Sequence, residues 1–190
     1  MLNIGIDIDD TITDTFDYLM YYVADYFNFN INYLIKNNIS YSNLPKECKE
    51  YEKDFSIKTY ERILNYVPVK SDAIEIIQKL KENGFNIYII TARDNTIFKH
   101  PYEATEEQLK LHGIYYDKLI CTFDKKQACI DNEIDLLIDD SIRTLDAVSE
   151  IGVNTLLFES KINNSVKSKH DRVSNWKSLF DYILNKYKDN

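Results

Sequence analysis

The residues of this chain best suited to chemistry are acidic and hydroxyl side chains that directly follow apolar runs. The runs, each with the polar residues after it, are 2–6 with Asp7, Asp9 and Asp10, 85–90 with Thr91, and 134–138 with Asp139 and Asp140. Apolar runs without polar alternation predict strands buried on both faces of a parallel sheet. Since ligands bind beyond the carboxyl ends of such strands, we expect three strand ends to meet at one site.

Carboxylates brought together in this way need a partner of opposite charge. They repel one another, and a buried charge is costly unless it is paired or bound to a metal. Carboxylates are hard oxygen ligands, which suit Mg²⁺ better than zinc. The sequence therefore predicts Mg²⁺ as the cofactor.

The spacing of Asp7 and Asp9 suits phosphoryl transfer. The chain turns where the strand ends, so both side chains can swing towards the site. One carboxylate can then attack phosphorus as a nucleophile while the other acts as general acid and base. The hydroxyl of Thr91 and the ammonium of Lys125 would neutralise the phosphoryl oxygens, without which an acidic pocket would repel the substrate.

Each of these residues also has a purely structural interpretation. An isolated Asp-x-Asp after an apolar run is often a turn or a helix cap. Thr91 is well placed to begin a helix as its N-cap, although helix N-termini also bind phosphate. Lys125 is followed directly by Lys126, which competes for the same role. The ordered set, rather than any single residue, favours a functional site.

In type and order, the four segments resemble the motifs of the haloacid dehalogenase superfamily of phosphatases. They are Ile4-Gly-Ile-Asp7-Ile-Asp9-Asp10-Thr11, Ile87-Tyr-Ile-Ile-Thr91-Ala-Arg93, Lys125, and Leu136-Leu-Ile-Asp139-Asp140-Ser141. The fuller stretches Asp7-Ile-Asp-Asp-Thr-Ile-Thr13, Thr91-Ala-Arg-Asp94 and Ile138-Asp-Asp-Ser141 are similar to those of small nucleotidases related to the 5'(3')-deoxyribonucleotidases. The resemblance covers residues 1–13 and roughly 70–158, and it says little about the segment between them.

The resemblance implies a catalytic role for both carboxylates of the first motif. Asp7 resembles the nucleophile that forms an aspartyl-phosphate. Asp9 resembles the acid that protonates the leaving oxygen and then, as a base, activates the water that clears the intermediate. The phosphate-binding residues implied in the same way are Thr91, Ala92 and Lys125.

The resemblance also implies a set of metal ligands. Mg²⁺ would be bound by Asp7, by the backbone carbonyl of Asp9 and by Asp140. Asp139 would support the site, and which member of the acidic pair binds directly stays open. Asp10 stands where the superfamily often has Gly and would add an acid to the site; the alternatives are that it points to solvent or caps the next helix.

The remaining pattern predicts an α/β fold, a doubly wound parallel sheet with the Rossmann-like core of this superfamily and a small inserted helical cap. Residues 1–13 and 70–190 would form the catalytic core, and residues 14–69 the cap. Beyond residue 70 the predicted strands are 85–90, 118–121, 136–138 and 154–158, and the predicted helices are 71–82, 102–111, 126–132, 142–150 and 175–187. The polar segment 161–171 is predicted to be an exposed loop.

The predicted cap is rich in aromatic residues. Its first helix is indicated by apolar residues at helical spacing, and the Asn-rich segment 28–43 is predicted to be a loop or a short helix. A cap would exclude water from the reacting phosphate, and aromatic side chains could stack on a nucleobase. The candidates are Phe16, Tyr18, Tyr22 and Tyr26. The alternative is that each of them packs the cap against itself.

Composition is typical of a single soluble protein with room for a full core. The net charge of −8, from 23 basic and 31 acidic residues, argues against a nucleic-acid polymer as partner, because that requires clustered Lys and Arg. A small phosphorylated substrate remains compatible. Three unevenly spaced cysteines predict reduced thiols, and no apolar run approaches membrane-spanning length. We expect a cytoplasmic monomer or homodimer without a membrane partner.

These observations predict a Mg²⁺-dependent phosphatase that hydrolyses nucleoside or deoxynucleoside monophosphates through an aspartyl-phosphate. The first alternative is a phosphatase of a sugar phosphate or another small phosphomonoester. A different class is a phosphoacceptor signalling module, although in such modules the acidic pair lies near the first strand and the lysine near the last. A catalytically inactive binding protein is disfavoured by the intact set of motifs.

Overall fold

The computed structural model describes residues 1–37 and 39–187. Its centre is a sheet of six parallel strands in the order β3-β2-β1-β4-β5-β6. The strands are β1 (Asn3–Ile6), β2 (Asn86–Thr91), β3 (Lys118–Cys121), β4 (Leu136–Asp139), β5 (Asn154–Phe158) and β6 (Asp171–Val173). The first strand therefore lies in the middle of the sheet, between β2 and β4. The predicted α/β fold with a doubly wound parallel sheet is confirmed.

Helices separate the strands along the chain. They are α1 (Thr15–Tyr26), α2 (Ile31–Lys36), α3 (Lys46–Lys49), α4 (Glu52–Ile63), α5 (Ala73–Glu82), α6 (Pro101–Leu111), α7 (Lys125–Asp131), α8 (Ile142–Ser149) and α9 (Trp176–Tyr187), with short 3₁₀ turns at Tyr41–Asn43 and Leu64–Tyr66. Beyond residue 70, the predicted elements match these bounds within two residues at each end. No helix in the described ranges is both long and apolar enough to cross a membrane.

The sheet is covered on both faces. One apolar cluster joins β1, β2 and β4 to α5 and α9. A second cluster on the opposite face joins the sheet to α7 and α8. Gly5 in β1 allows close packing on this second face, because a Cβ there would lie 3.0 Å from both Ile90 Cδ1 and Leu137 Cδ1. A larger residue at this position would require the side chains of Ile90 and Leu137 to shift by a few tenths of an ångström.

The inserted segment between α1 and the turn Leu64–Tyr66 has a core of its own. Leu19, Val23, Leu34 and Phe55 are fully buried in it, and aromatic residues such as Phe27 pack around them. The predicted short-helix segment 28–43 contains α2 and the turn Tyr41–Asn43, while Asn38 lies outside the described residues. The division into core 1–13 and 70–190 and cap 14–69 stays a prediction, and residues 188–190 also lie outside the described part.

The segment after β5 is mostly the exposed loop that was predicted, since residues 161–170 lie outside helices and strands and most are exposed, but it departs from the prediction in two places. An exposed loop was expected over 161–171, but Asn163 is buried. Residues 171–173 form the edge strand β6, paired in parallel with β5. The polar sequence is accommodated because Asn163 is fully hydrogen-bonded rather than solvated.

Candidate active site

Three neighbouring strands end at one place, as expected from the apolar runs. Asp7 directly follows β1, Thr91 is the last residue of β2, and Asp139 is the last residue of β4. In-register pairing of β1 with both neighbours brings these ends to the same edge of the sheet. Asp7 N also donates a hydrogen bond of 2.9 Å to Ile138 O, which continues the β1–β4 pairing into the site.

The carboxylates of Asp7, Asp139 and Asp140 form a buried cluster. One oxygen of each lies within 4.8 Å of the others, and all three residues are buried. Burial raises the pKa of Asp7 to about 7 and, together with the charges of Asp7 and Asp139, the pKa of Asp140 to about 9. Negative charge is therefore costly here without a cation.

Lys125, the first residue of α7, supplies one positive charge. Its Nζ lies 2.5 Å from Asp7 Oδ1 and 2.7 Å from Asp139 Oδ2. Burial alone would lower the pKa of Lys125, but the charges of Asp139 and Asp7 raise it above the ordinary value. The competing Lys126 lies elsewhere, where it pairs with the exposed Glu150 at 3.0 Å. The structure thus places Lys125, and not Lys126, among the carboxylates.

Asp9 has a different cation as its partner. The guanidinium of Arg93 donates from Nε to Asp9 Oδ2 at 3.1 Å and from Nη2 to Asp9 Oδ1 at 2.8 Å, and the hydroxyl of Thr15 donates to Oδ1 at 2.7 Å. Burial would raise the pKa of Asp9, but the charge and hydrogen bonds of Arg93 outweigh it and hold this pKa below its usual value. Asp9 is thereby fixed in orientation by a bidentate pair.

Arg93 itself is fully buried and donates to α6 as well as to Asp9. Its Nη1 donates to Gln108 Oε1 at 2.7 Å and to Thr105 Oγ1 at 3.2 Å, both on α6. Sequence reasoning did not assign this residue to Asp9. The stretch Thr91-Ala-Arg-Asp was the available signal, but its spacing alone does not show that the side chain turns back towards β1.

Thr91 has a buried hydroxyl without a partner. Within the described part of the chain, no hydrogen bond reaches its Oγ1 or that of Thr11, although both residues are fully buried. Ala92, which follows, is exposed. An unpartnered buried hydroxyl at a strand end is available to bind a ligand oxygen.

The two members of the acidic pair are bonded differently. Asp139 uses both oxygens, since Oδ2 accepts from Lys125 and Oδ1 accepts from the backbone N–H of Ser141 at 2.8 Å. Asp140 Oδ2 accepts from the hydroxyl of Ser160 at 3.0 Å, and the described residues provide no donor to its Oδ1. Asp140 therefore keeps an oxygen for another ligand.

Asp10 caps a helix, which is one of its expected roles, and it is buried rather than pointing to solvent. It has a positive φ of 59°, and its Oδ1 accepts a hydrogen bond of 2.9 Å from the backbone N–H of Phe16 in the first turn of α1. Burial raises its pKa to about 6. The carboxylate thus satisfies one of the free N–H groups at the helix start.

The four aromatic candidates of the cap separate into two pairs. Phe16 and Tyr18 line a cavity of about 510 Å³ beside Asp10, and Phe16 stacks on Tyr41 at 5.6 Å between ring centroids. Tyr22 contacts Tyr18 through the two hydroxyls. Tyr26 donates to Asp54, and its ring packs edge-on against Phe27 and Phe55 within the cap.

Two curated proteins resemble this chain over nearly its whole length. It is 28% identical over 191 residues to "Putative nucleotidase YqfW" of Bacillus subtilis, a match that covers 97% of this chain and 95% of that protein. It is 29% identical over 195 residues to a protein of Clostridium acetobutylicum named as a nucleotidase, covering 96% and 93% of the two chains. No protein-family model matches the chain.

Solved structures share its fold. A haloacid dehalogenase-like hydrolase from Streptococcus pneumoniae superposes with a TM-score of 0.66 at 13% identity, covering 96% of this chain and 98% of the other. A D,D-heptose bisphosphate phosphatase from B. bronchiseptica, described in complex with magnesium and phosphate, has a TM-score of 0.55 at 10% identity and covers 98% and 99%. At sequence identities of 13% and 10%, the similarity to these two structures is a similarity of fold.

Proposed function

We propose that this chain, which has the fold and ordered motifs of the haloacid dehalogenase superfamily and resembles curated nucleotidases, is a Mg²⁺-dependent phosphatase of nucleoside or deoxynucleoside monophosphates. The observation that carries the proposal is the buried cluster in which Lys125 lies between Asp7 and Asp139. A lysine between carboxylates, with the unpartnered hydroxyl of Thr91 on the adjacent strand end, is suited to bind a phosphate dianion. The products of this hydrolysis would be an alcohol and inorganic phosphate.

The donor set fits Mg²⁺. All of the clustered donors are carboxylate oxygens, which this ion prefers. Asp7, the backbone carbonyl of Asp9 and Asp140 would hold it, with Asp139 in support because both oxygens of Asp139 are already bonded. When bound, the ion supplies positive charge that offsets the charge of the phosphate.

The chemical steps are assigned to Asp7 and Asp9. The Asp7 carboxylate attacks phosphorus and forms an aspartyl-phosphate while the bond to the leaving oxygen breaks, and Asp9 gives that oxygen a proton. Asp9 then takes a proton from water, whose oxygen attacks the same phosphorus and releases phosphate and free Asp7. Lys125, the hydroxyl of Thr91 and the backbone N–H of Ala92 hold the phosphoryl oxygens throughout.

We assign the leaving group to the cavity beside Asp10 on its volume and its lining alone, because Asp7, Lys125 and Asp140 do not line it. Its volume is about 510 Å³, within the range of small-molecule sites. Apolar side chains such as Met20 and Leu34 line it together with Phe16. We assign the stacking role to Phe16 and Tyr18 and give Tyr22 and Tyr26 the packing role, because only the first two line this cavity.

The test is phosphate release from nucleoside and deoxynucleoside monophosphates beside sugar phosphates, with Mg²⁺ and with chelator. We expect Mg²⁺-dependent release that is fastest with nucleotides. Asp7→Asn should reduce kcat to the background because the nucleophile is lost. Asp25→Asn, at an exposed position on α1, is the matched control and should behave as wild type.

Other results would assign the site differently. Faster release from sugar phosphates would keep the mechanism and overturn the nucleotide assignment. Absence of release from every ester, with a phosphorylated protein that persists for minutes, would instead identify a phosphoacceptor module.

A further inference from the structure

We propose that Ser160 and Asn163, on the segment between β5 and β6, are positioning residues that hold Asp140 in the orientation required to bind Mg²⁺. The proposal rests on the proposed function, since it takes Asp140 as a metal ligand. Neither residue would touch the substrate or the metal. Their effect would pass entirely through the backbone and the carboxylate of Asp140.

Ser160 fixes the side chain of Asp140. It is buried, and its hydroxyl donates to Asp140 Oδ2 at 3.0 Å. It lies two residues beyond β5, the strand that pairs with β4 and therefore ends beside Asp140. With Oδ2 held from this side, the rotation of the carboxylate is restricted and Oδ1 is left for the cation.

Asn163 fixes the main chain of Asp140. Its side chain is buried, and Nδ2 donates to Asp140 O and to Phe158 O, each at 2.8 Å. Its Oδ1 accepts from the backbone N–H of Ser160 at 3.2 Å and from Nη1 of Arg172 at 3.0 Å. An amide can donate two hydrogen bonds and accept two, so Asn163 is fully satisfied. One side chain thus ties together the ends of β4 and β5.

Arg172 on β6 extends this connection to the edge of the sheet. Its Nη1 also donates to Asn163 O at 3.1 Å, and its Nη2 donates to Val166 O at 2.8 Å. The guanidinium therefore holds the segment that carries Asn163 in a folded conformation. The three-residue strand β6 places this arginine, which gives the edge strand a role in the geometry of the site.

The expected size of the effect follows from metal sites in general. Removal of a hydrogen-bond partner of a metal ligand typically weakens metal binding 10–100-fold. Ser160→Ala removes one hydroxyl and leaves the rest of the segment in place, so we expect roughly tenfold weaker Mg²⁺ binding. Ser160→Thr keeps a hydroxyl and should restore most of the affinity.

The experiment measures Mg²⁺ binding to the full chain by titration calorimetry, without substrate. The variants are Ser160→Ala, Ser160→Thr and Asp140→Asn, with Ser165→Ala as the matched control. Ser165 is exposed on the same segment, and among residues 1–37 and 39–187 its hydroxyl donates to Asn164 Oδ1 alone. Far-UV circular dichroism should show that all variants fold alike.

The outcomes separate this inference from the proposed function. The inference is supported if Ser165→Ala binds Mg²⁺ as tightly as wild type, while Ser160→Ala binds it roughly tenfold more weakly. Asp140→Asn should then bind more weakly still. Equal binding by Ser160→Ala and wild type, with Asp140→Asn defective, would overturn the positioning role and leave the metal site intact. Wild type that binds no Mg²⁺ would overturn the metal assignment in the proposed function itself.

Discussion

The first motif carries two carboxylates, two residues apart, that have separate cations. Asp7 is paired with Lys125 and Asp9 with Arg93. Burial raises the pKa of Asp7 to about 7, whereas Arg93 outweighs burial and lowers the pKa of Asp9. A nucleophilic carboxylate must be ionised and a general acid must be protonated, so these two pKa directions by themselves oppose the proposed roles. The division of labour proposed for Asp7 and Asp9 therefore rests on the resemblance of the motif and on the fixed orientation of Asp9, and not on the pKa directions.

Arg93→Lys should impair the general-acid function proposed for Asp9 in a way that depends on the leaving group. A lysine cannot donate two parallel hydrogen bonds to a carboxylate, so Asp9 would lose its fixed orientation. General acid catalysis contributes about 10²–10⁴-fold for a leaving group that needs a proton. We expect kcat/KM to fall about 10–100-fold for a nucleoside monophosphate and much less for p-nitrophenyl phosphate, whose leaving group needs no proton.

The comparison of the two substrates distinguishes positioning from loss of structure. Arg62→Lys, at an exposed arginine of α4, is the matched control and should leave both kcat/KM values unchanged. An equal loss on both substrates in Arg93→Lys would contradict the assignment.

At the scale of elements, apolar runs and helix-end signals were sufficient to predict the helices and strands whose own apolar residues pack into the core. The strands that carry Asp7, Thr91 and Asp139 are of this kind, and so is α9. The edge strand β6 contains a single apolar residue, Val173, so no run marks it. The hydrogen bond from Asn163 to Asp140 O spans 23 residues of sequence. Local pattern carries no information about such a partner, and the same holds for the pairing of Asp9 with Arg93.

The helix α9 supports the loop after β1 through one side chain. Trp176 is buried at its start and packs at a tilt against Phe158, with 5.7 Å between the ring centroids. Its Nε1 donates to Thr11 O at 3.2 Å. Trp176→Phe removes the donor and leaves a buried carbonyl without its partner. We expect the free energy of unfolding to fall by about 1–3 kcal/mol, measured by urea denaturation.

A hydroxyl deletion on the same helix provides the comparison. Tyr182→Phe removes a bond of 2.6 Å to the exposed Asp171, and water can replace that partner. The change in the free energy of unfolding should stay below about 1 kcal/mol. A Trp176→Phe variant as stable as this one would show that the bond to Thr11 O contributes little.

For the whole molecule, the acidic cluster means that the folded state without metal contains unfavourable charge. Asp7, Asp139 and Asp140 are buried within one cluster, and Lys125 offsets only part of their charge. A ligand that binds the folded state alone stabilises it in proportion to the logarithm of its concentration. The stability of this protein should therefore depend strongly on Mg²⁺.

We expect Mg²⁺ at about 100 times its Kd to add about 2.7 kcal/mol of stability and to raise Tm by about 5–10 °C. Asp140→Asn should be at least as stable as wild type in chelator, because it removes a carboxyl whose ionised form is disfavoured by burial and by the charges of Asp7 and Asp139. The same variant should respond weakly to Mg²⁺. Differential scanning calorimetry measures both effects, with NaCl at equal ionic strength as the control for charge screening.

A rise in Tm of equal size with NaCl would attribute the effect to screening rather than to a bound ion. An Asp140→Asn variant that is less stable than wild type in chelator would show that Asp140 is not under electrostatic strain.

The central position of β1 has a consequence for synthesis on the ribosome. The strand emerges first, yet its residue Ile4 pairs with Ile87 on one side and with Leu136 on the other. At about 5–20 residues per second, roughly 7–26 seconds pass before both neighbours have been translated. During that interval β1 and Asp7 beside it have no sheet to join, so the nascent chain exposes a strand with two unpaired edges. Slower translation would lengthen that exposure, and a chaperone bound to the N-terminal residues would shorten it.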